Sequence, residues 1–91
     1  MLKPSYQKHF KKDLKKSKKR RKEMDKLKEV MSKLINEEII DEKYRNHQLI
    51  GDYIGCQECH IEPDWLLIYI INNTAKTITF IRTGSHSDLF E

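Results

Sequence analysis

Apolar residues recur at helical spacing early in the chain and at strand spacing late in it. Tyr6, Phe10 and Leu14 stand four residues apart. That is one stripe of an amphipathic helix, with Ser5 placed to cap it. Met24, Leu27, Met31 and Leu34 follow at spacings of three, four and three, with Val30 and Ile35 widening the stripe. This spacing predicts a second helix from about Arg21 to Asn36. Residues 17–20, S-K-K-R, have no apolar member and read as the turn between the two. The stripe lasts less than two heptads, too short for a coiled coil, so both helices are expected to pack on a sheet.

The second half turns to period two. Met1–Pro4 suits a short edge strand, since Pro4 cannot donate to a ladder. From Cys56 onward the alternation puts Cys56, Glu58, His60 and Glu62 on one strand face, and Gln57, Cys59 and Ile61 on the other. Pro63 breaks the strand, and the apolar run Trp65–Ile71 reads as a central strand buried on both faces. Asn72–Lys76 is a hairpin loop with asparagines that tolerate positive φ. Thr77–Thr83 returns as a strand with Ile78, Phe80 and Arg82 on one face. Gly84 then releases the chain into a last helical turn, His86–Phe90. The expected fold class is α+β. Two N-terminal antiparallel helices pack on a mainly antiparallel sheet of about four strands, with a short C-terminal helical turn.

Length limits what this fold can hold. Ninety-one residues make one domain, 1–91, and such a chain buries only about 60–65% of its unfolded surface. A site must therefore be a surface groove, and no cofactor is expected. No stretch reaches the roughly 18 apolar residues of a membrane span, and residues 1–20 lack the apolar core of a signal peptide. The expected location is the cytoplasm, with no membrane partner.

Charge separates the halves. Residues 1–45 hold 16 Lys/Arg against 8 Asp/Glu, a net +8, and residues 46–91 hold 2 against 6, a net −4. The excess concentrates in Lys8, Lys11, Lys12, Lys15, Lys16, Lys18, Lys19, Arg20 and Arg21. Such a block attracts phosphate backbones or an acidic protein. Its bland alternative is a solvated helix face.

The chemistry lies in the sheet half. His47, His60 and His86 are there, and imidazole exchanges protons near neutral pH. Glu58 sits two residues from His60 on one face, Asp64 follows the corner, and Arg82 and His86 lie within reach if their strand pairs nearby. This set suits RNA cleavage by its own 2′-hydroxyl. A base takes the hydroxyl proton, an acid protonates the leaving 5′-oxygen, and a cation steadies the phosphorane. No metal is needed, and DNA lacks the nucleophile. Scattered surface histidines with structural hydrogen bonds are the plain alternative.

Cys56-Gln57-Glu58-Cys59-His60 matches the C-x-x-C-H haem pattern. No export signal accompanies it, and Met1, Met24 and Met31 lie far upstream. A zinc site from Cys56, Cys59, His60 and His86 would need both cysteines on one side, and a spacing of three on a strand separates them. Reduced, partly buried cysteines are favoured. Trp65 and Phe90 can stack on bases, with core packing the stronger expectation for Trp65.

Three motifs in order, N-H-Q-L-x-G at 46–51, E-C-H-I-E-P-D-W-L-L-I-Y at 58–69 and R-T-G-S-H-S-D-L-F at 82–90, resemble the YafQ branch of the RelE/ParE toxin superfamily. The resemblance implies a toxin of a type II toxin–antitoxin system, an endoribonuclease that cuts mRNA at the ribosome without a metal. It implies a small acidic antitoxin, and contact with operator DNA only through the antitoxin complex. It places the active site at His47, Glu58, His60, Asp64, Trp65, Arg82, His86 and Phe90. His86 would be the general acid, Asp64 with His60 the base side, His47 a phosphate-orienting group and Arg82 the cation, while the lysine-rich helices grip ribosomal RNA. ParE-like members target gyrase and lack this histidine set. The competing reading is a non-catalytic RNA- or operator-binding module built on the basic helices.

Overall fold

The computed structural model describes residues 1–90. Strand β1 (Lys3–Tyr6) leads into helices α1 (Lys8–Lys19) and α2 (Met24–Ile35). Strands β2 (His47–Gln48), β3 (Gln57–Glu62), β4 (Trp65–Asn72) and β5 (Thr77–Gly84) follow, and helix α3 (His86–Phe90) ends the described chain. Single 3-10 turns at Glu42–Tyr44 and Gly51–Tyr53 flank β2. The sheet order is β1-β5-β4-β3-β2. Every pairing is antiparallel except β1 with β5.

The α+β expectation holds, with five strands rather than about four. The extra strand is the two-residue β2, and the expected N-terminal edge strand runs further than Pro4. Ser5 pairs with Thr79 and Tyr6 with Phe80, so neither belongs to the first helix. Gln7 takes the N-cap position, with no side-chain capping bond. Tyr6 still joins the aromatic stripe, because its ring stacks on Phe80 and Phe10 at 5.6 and 6.1 Å between centroids.

The helices cover one face. Phe10, Leu27, Val30 and Leu34 pack onto Cys59, Leu67, Tyr69, Ile78 and Phe80 in the main core. The other face carries a smaller cluster, Leu66, Ile68 and Leu89, flanked by Leu49, Tyr53, Cys56 and Ile81. Trp65–Tyr69 is buried throughout, as expected for a central strand between two apolar layers.

Two register shifts redirect side chains and correct the simple alternation. One falls between His60 and Glu62. Past it, Glu62 turns away from Glu58 and His60 towards the helix pair, where it meets Lys22 of the α1–α2 turn at 3.5 Å and Lys26 of α2 at 3.1 Å. The other lies between β4 and β5, where Ile68 pairs with Arg82 but Tyr69 pairs with Phe80. The skipped Ile81 moves Arg82 off the Phe80 face and onto the face of Ile68.

Gly84 allows the final fold-back. A Cβ there would stand 2.9 Å from Asp88 Oδ2 and 3.0 Å from Asp88 Cβ, so only glycine lets α3 fold so closely against β5.

Candidate active site

The open part of the sheet face away from the helices carries a row of rings. His47 and Glu58 are direct partners across β2 and β3. His47 Nε2 and His60 Nε2 stand 3.4 and 3.2 Å from the same Glu58 Oε1. The His47 and His60 rings are 6.1 Å apart, His60 and His86 5.8 Å, and His86 and Phe90 6.3 Å between centroids. Phe90 in turn meets the Tyr53 ring edge-on at 5.7 Å.

Each ring is anchored from behind. His47 Nδ1 lies 2.8 Å from the Arg45 carbonyl and His60 Nδ1 3.3 Å from the Pro63 carbonyl. A carbonyl only accepts, so both Nδ1 atoms carry the hydrogen and both Nε2 atoms face Glu58. His86 is held by Asp64, whose Oδ1 accepts from the His86 backbone N–H at 2.9 Å and from its Nδ1 at 2.7 Å. These two bonds, the backbone one foremost, hold the Asp64 carboxyl below the usual aspartate range. His86 Nε2 is left free for the substrate side. Asp64 thus spends its contacts on His86, the acid side of the expected scheme, rather than beside His60.

Beneath the row lies a support the sequence did not reveal. The Tyr69 hydroxyl, on the central strand, donates to Asn46 Oδ1, and Asn46 Nδ2 donates to Gln57 Oε1 at 3.0 Å. Asn46 precedes His47 and Gln57 precedes Glu58, so the network fastens the two strands at the point where they present those side chains. Burial pushes the Tyr69 hydroxyl well above its ordinary range, so it stays a donor.

Arg82 is on the right face, yet it is tied. Its Nε and Nη2 donate to Asp13 of α1 at 2.8 and 3.3 Å, and Asp13 also accepts from the Thr83 backbone N–H at 3.1 Å. The reason lies at the sheet edge. β1 pairs with β5 only through Phe80, and Asp13 takes over the bare edge beyond it. Asp13, chiefly, raises the Arg82 guanidinium above its usual value, and the nearby Tyr53 hydroxyl adds to the effect. Asp13 is the only acid in residues 1–22 and lies between Phe10 and Leu14 on the buried stripe, a readable signal that charge counting concealed.

Some expected nucleic-acid contacts change. Trp65 is 1% exposed, and its Nε1 donates to Thr83 Oγ1 at 3.1 Å. It is a core residue and cannot stack on a base. Phe90 is 46% exposed beside His86. In the basic block, Lys16 and Arg20 reach Asp88 at 3.0 and 2.6 Å, tying α1 to α3. Lys8, Lys11, Lys12, Lys15, Lys18, Lys19 and Arg21 remain exposed. Cys59 lies in the helix-side core while Cys56 packs on the other face, which rules out the haem and cysteine–zinc patterns. The group whose donor atoms do converge is His47, Glu58 and His60, all within 4.8 Å of one another.

Residues 2–91 match the family described as the bacterial toxin of type II toxin–antitoxin system, YafQ. The chain is 43% identical over 86 residues to the mRNA interferase toxin YafQ of Escherichia coli K12, covering 93% of this chain and 91% of that one. Solved structures match over the full length of both chains, among them two from E. coli. YafQ from E. coli strain BL21(DE3) has a TM-score of 0.93 at 38% identity, and the E. coli DinJ–YafQ complex has 0.92 at 39%. Fold, site and relatives together define a bacterial toxin of a type II toxin–antitoxin system. Within that class, the chain belongs to the YafQ family.

Proposed function

We propose that the protein is an endoribonuclease that cleaves mRNA at the ribosome by metal-independent acid–base chemistry on the histidine row. The observation that carries this reading is the chain of contacts from Glu58 through His60 to His86 and Asp64 on one open sheet face. Scattered surface histidines would not share ring neighbours and carboxylate anchors. The E. coli relative bears the name mRNA interferase.

His60 Nε2 takes the proton from the 2′-hydroxyl, and Glu58 Oε1 at 3.2 Å stabilises the imidazolium formed. The oxygen attacks the adjacent phosphorus. His86, oriented by Asp64, gives a proton from Nε2 to the leaving 5′-oxygen. His47 and Arg82 hold the phosphate and its developing charge. Phe90, exposed next to His86, stacks a flanking base. Only a ribose substrate supplies the nucleophile.

The exposed lysines of α1 bind ribosomal RNA. A cleft of about 510 Å³ bordered by Arg20, Lys22, Lys26, Asp64 and Ser85 joins that surface to the acid side of the row. The neutralising partner is a cognate antitoxin, small and acidic, as DinJ partners E. coli YafQ in the solved complex. Operator DNA is reached through that complex. The alternative of a non-catalytic binding module leaves the histidine geometry without a use.

Primer extension on mRNA from induced cells tests the proposal. Wild-type protein should create new 5′ ends that vanish with His86→Ala. Equal cleavage by the variant removes His86 from the chemistry.

A further inference from the structure

We propose that Arg45, with Lys43 beside it, binds the RNA backbone phosphate next to the scissile one on its 5′ side. This subsite rests on the function proposed above, and with it comes the direction in which RNA crosses the site.

The direction follows from the two protons. The nucleotide that supplies the 2′-hydroxyl lies on the 5′ side of the scissile phosphate, and His60 takes its proton. The leaving 5′-oxygen belongs to the next nucleotide, beside His86. The two rings are neighbours, 5.8 Å apart between centroids, so the RNA runs 5′ to 3′ from His60 to His86. The nucleotide upstream of the cut and the phosphate on its own 5′ side therefore lie beyond His60, away from His86.

His60 borders a cleft of about 500 Å³ there. Tyr44, Ile61 and Pro63 give it apolar wall, and Lys26, Lys43, Arg45, Glu29 and Glu62 supply its charges. Most of those charges are already matched. Glu62 meets Lys22 and Lys26 at 3.5 and 3.1 Å, and Glu29 lies 3.9 Å from Lys33. Among the described residues, Arg45 and Lys43 have no ion-pair partner. Lys43 Nζ rests over the Tyr44 ring at 5.1 Å, and both side chains are exposed. The uncommitted charge of the cleft is thus positive, which suits a phosphate.

The histidine row needs that charge. It carries two carboxylates, Glu58 and Asp64, and Arg82 spends two donors on Asp13 at 2.8 and 3.3 Å. Arg45 is built into the same site. Its left-handed turn (φ 48°, ψ 48°) brings its carbonyl 2.8 Å from His47 Nδ1. The residue that sets the His47 tautomer therefore also presents a guanidinium at the entrance to the row, and a planar guanidinium can hold two oxygens of one phosphate.

Kinetics in a translation extract on one mRNA test the contact. Arg45→Gln should raise KM about tenfold with kcat nearly unchanged, the mark of binding shared by ground and transition states. Arg45→Lys should recover part of the loss. Thermal melts verify that both variants are folded. A single uncharged methylphosphonate linkage in the mRNA then locates the contact, with a 2′-O-methyl group on the ribose before it that the reference mRNA also carries. Placed next to the scissile phosphate on the 5′ side, the neutral linkage should weaken wild-type protein as much as Arg45→Gln does, and add nothing further in that variant. Placed on the 3′ side, its effect should add to that of the variant. Independent effects at the 5′ linkage, or coupling to the 3′ one, overturn the subsite, while wild-type cleavage keeps the proposed function standing. An Arg45→Gln protein that cuts normally yet escapes its antitoxin assigns the guanidinium to the protein partner and also overturns the subsite. Wild-type protein that leaves the reference mRNA uncut overturns the proposed function and the subsite together.

Discussion

Asp64 Oδ1 grips His86 twice, through the backbone N–H at 2.9 Å and through ring Nδ1 at 2.7 Å. Asp64 is far more exposed than Glu58, so its role is to aim the ring rather than to fill space. Asp64→Asn should keep an acceptor for the backbone N–H and lose the charge behind the ring. We expect cleavage to slow by about tenfold, against about 100- to 10,000-fold for His86→Ala, with melting temperatures close to wild type. Rates measured on one mRNA in a translation extract, paired with thermal melts, check this. An Asp64→Asn protein as slow as His86→Ala would make Asp64 a proton-transfer group in its own right.

Asp88 ties the end of the chain to α1. Its carboxylate meets Arg20, Lys16 and the Ser85 backbone N–H, and these contacts, Arg20 foremost, hold it far below the usual aspartate range. A depressed carboxylate stabilises the fold fully above its unfolded value of about 3.9, and that stabilisation fades as pH falls further towards the folded value. Solvent around Lys16 and Arg20 screens part of the effect. Asp88→Asn should therefore lower the melting temperature by about 4–8 °C at pH 7 and by as much at pH 5. Below about pH 4 the gap should narrow. Melting curves across this range test the sign; a gap that widens in acid contradicts it.

Asp13 and Arg82 form a largely buried pair, with 7% and 16% of their side chains exposed. Removing one partner leaves a charge and the Thr83 N–H without their acceptor. Asp13→Ala should cost about 3 kcal/mol in urea unfolding, the lower end for a broken buried pair. The same variant should lower activity without abolishing it, since it frees Arg82 rather than deleting it.

The two cysteines should differ in reactivity. Burial pushes the Cys59 thiol up to about 12, with Glu58 adding to it, so almost no thiolate forms at pH 8. Cys56 is raised less and is partly exposed. Timed alkylation with mass-spectrometric readout should label Cys56 first and Cys59 only after unfolding. Early labelling at Cys59 would mean that the β3 core opens readily.

The elements were legible wherever periodicity was uninterrupted. The stripe Leu27, Val30 and Leu34 is buried as its spacing required, and the apolar run from Trp65 declared a central strand. Local patterns failed where a non-local partner decided the outcome. Ser5 and Tyr6 look like a helix start, yet β5 supplies a ladder and takes them as strand. Strict alternation put Arg82 with Phe80 and Glu62 with His60; a single register shift in each case reversed the side. The candidate site divides the same way. The meeting of Glu58 with His60 follows from a two-residue step on one strand, whereas Asp64, expected beside His60, meets His86 because the start of β4 lies next to the end of β5. The pairing of His47 with Glu58 depended on how a two-residue strand docks. Asp13 and Asp88 tie down Arg82 and part of the basic block; Asp13 stands out on the buried stripe, but nothing local names the distant partner of either.

Cleavage by the substrate's own 2′-hydroxyl leaves its signature in the ends of the cut RNA. Mass spectrometry of fragments from wild-type protein should find 5′-hydroxyl ends opposite 2′,3′-cyclic phosphate or 3′-phosphate ends, and a 2′-deoxy substitution at the scissile nucleotide should leave that site uncut. Fragments with 5′-phosphate and 3′-hydroxyl ends, or cutting at the deoxy position, would contradict attack by the 2′-hydroxyl.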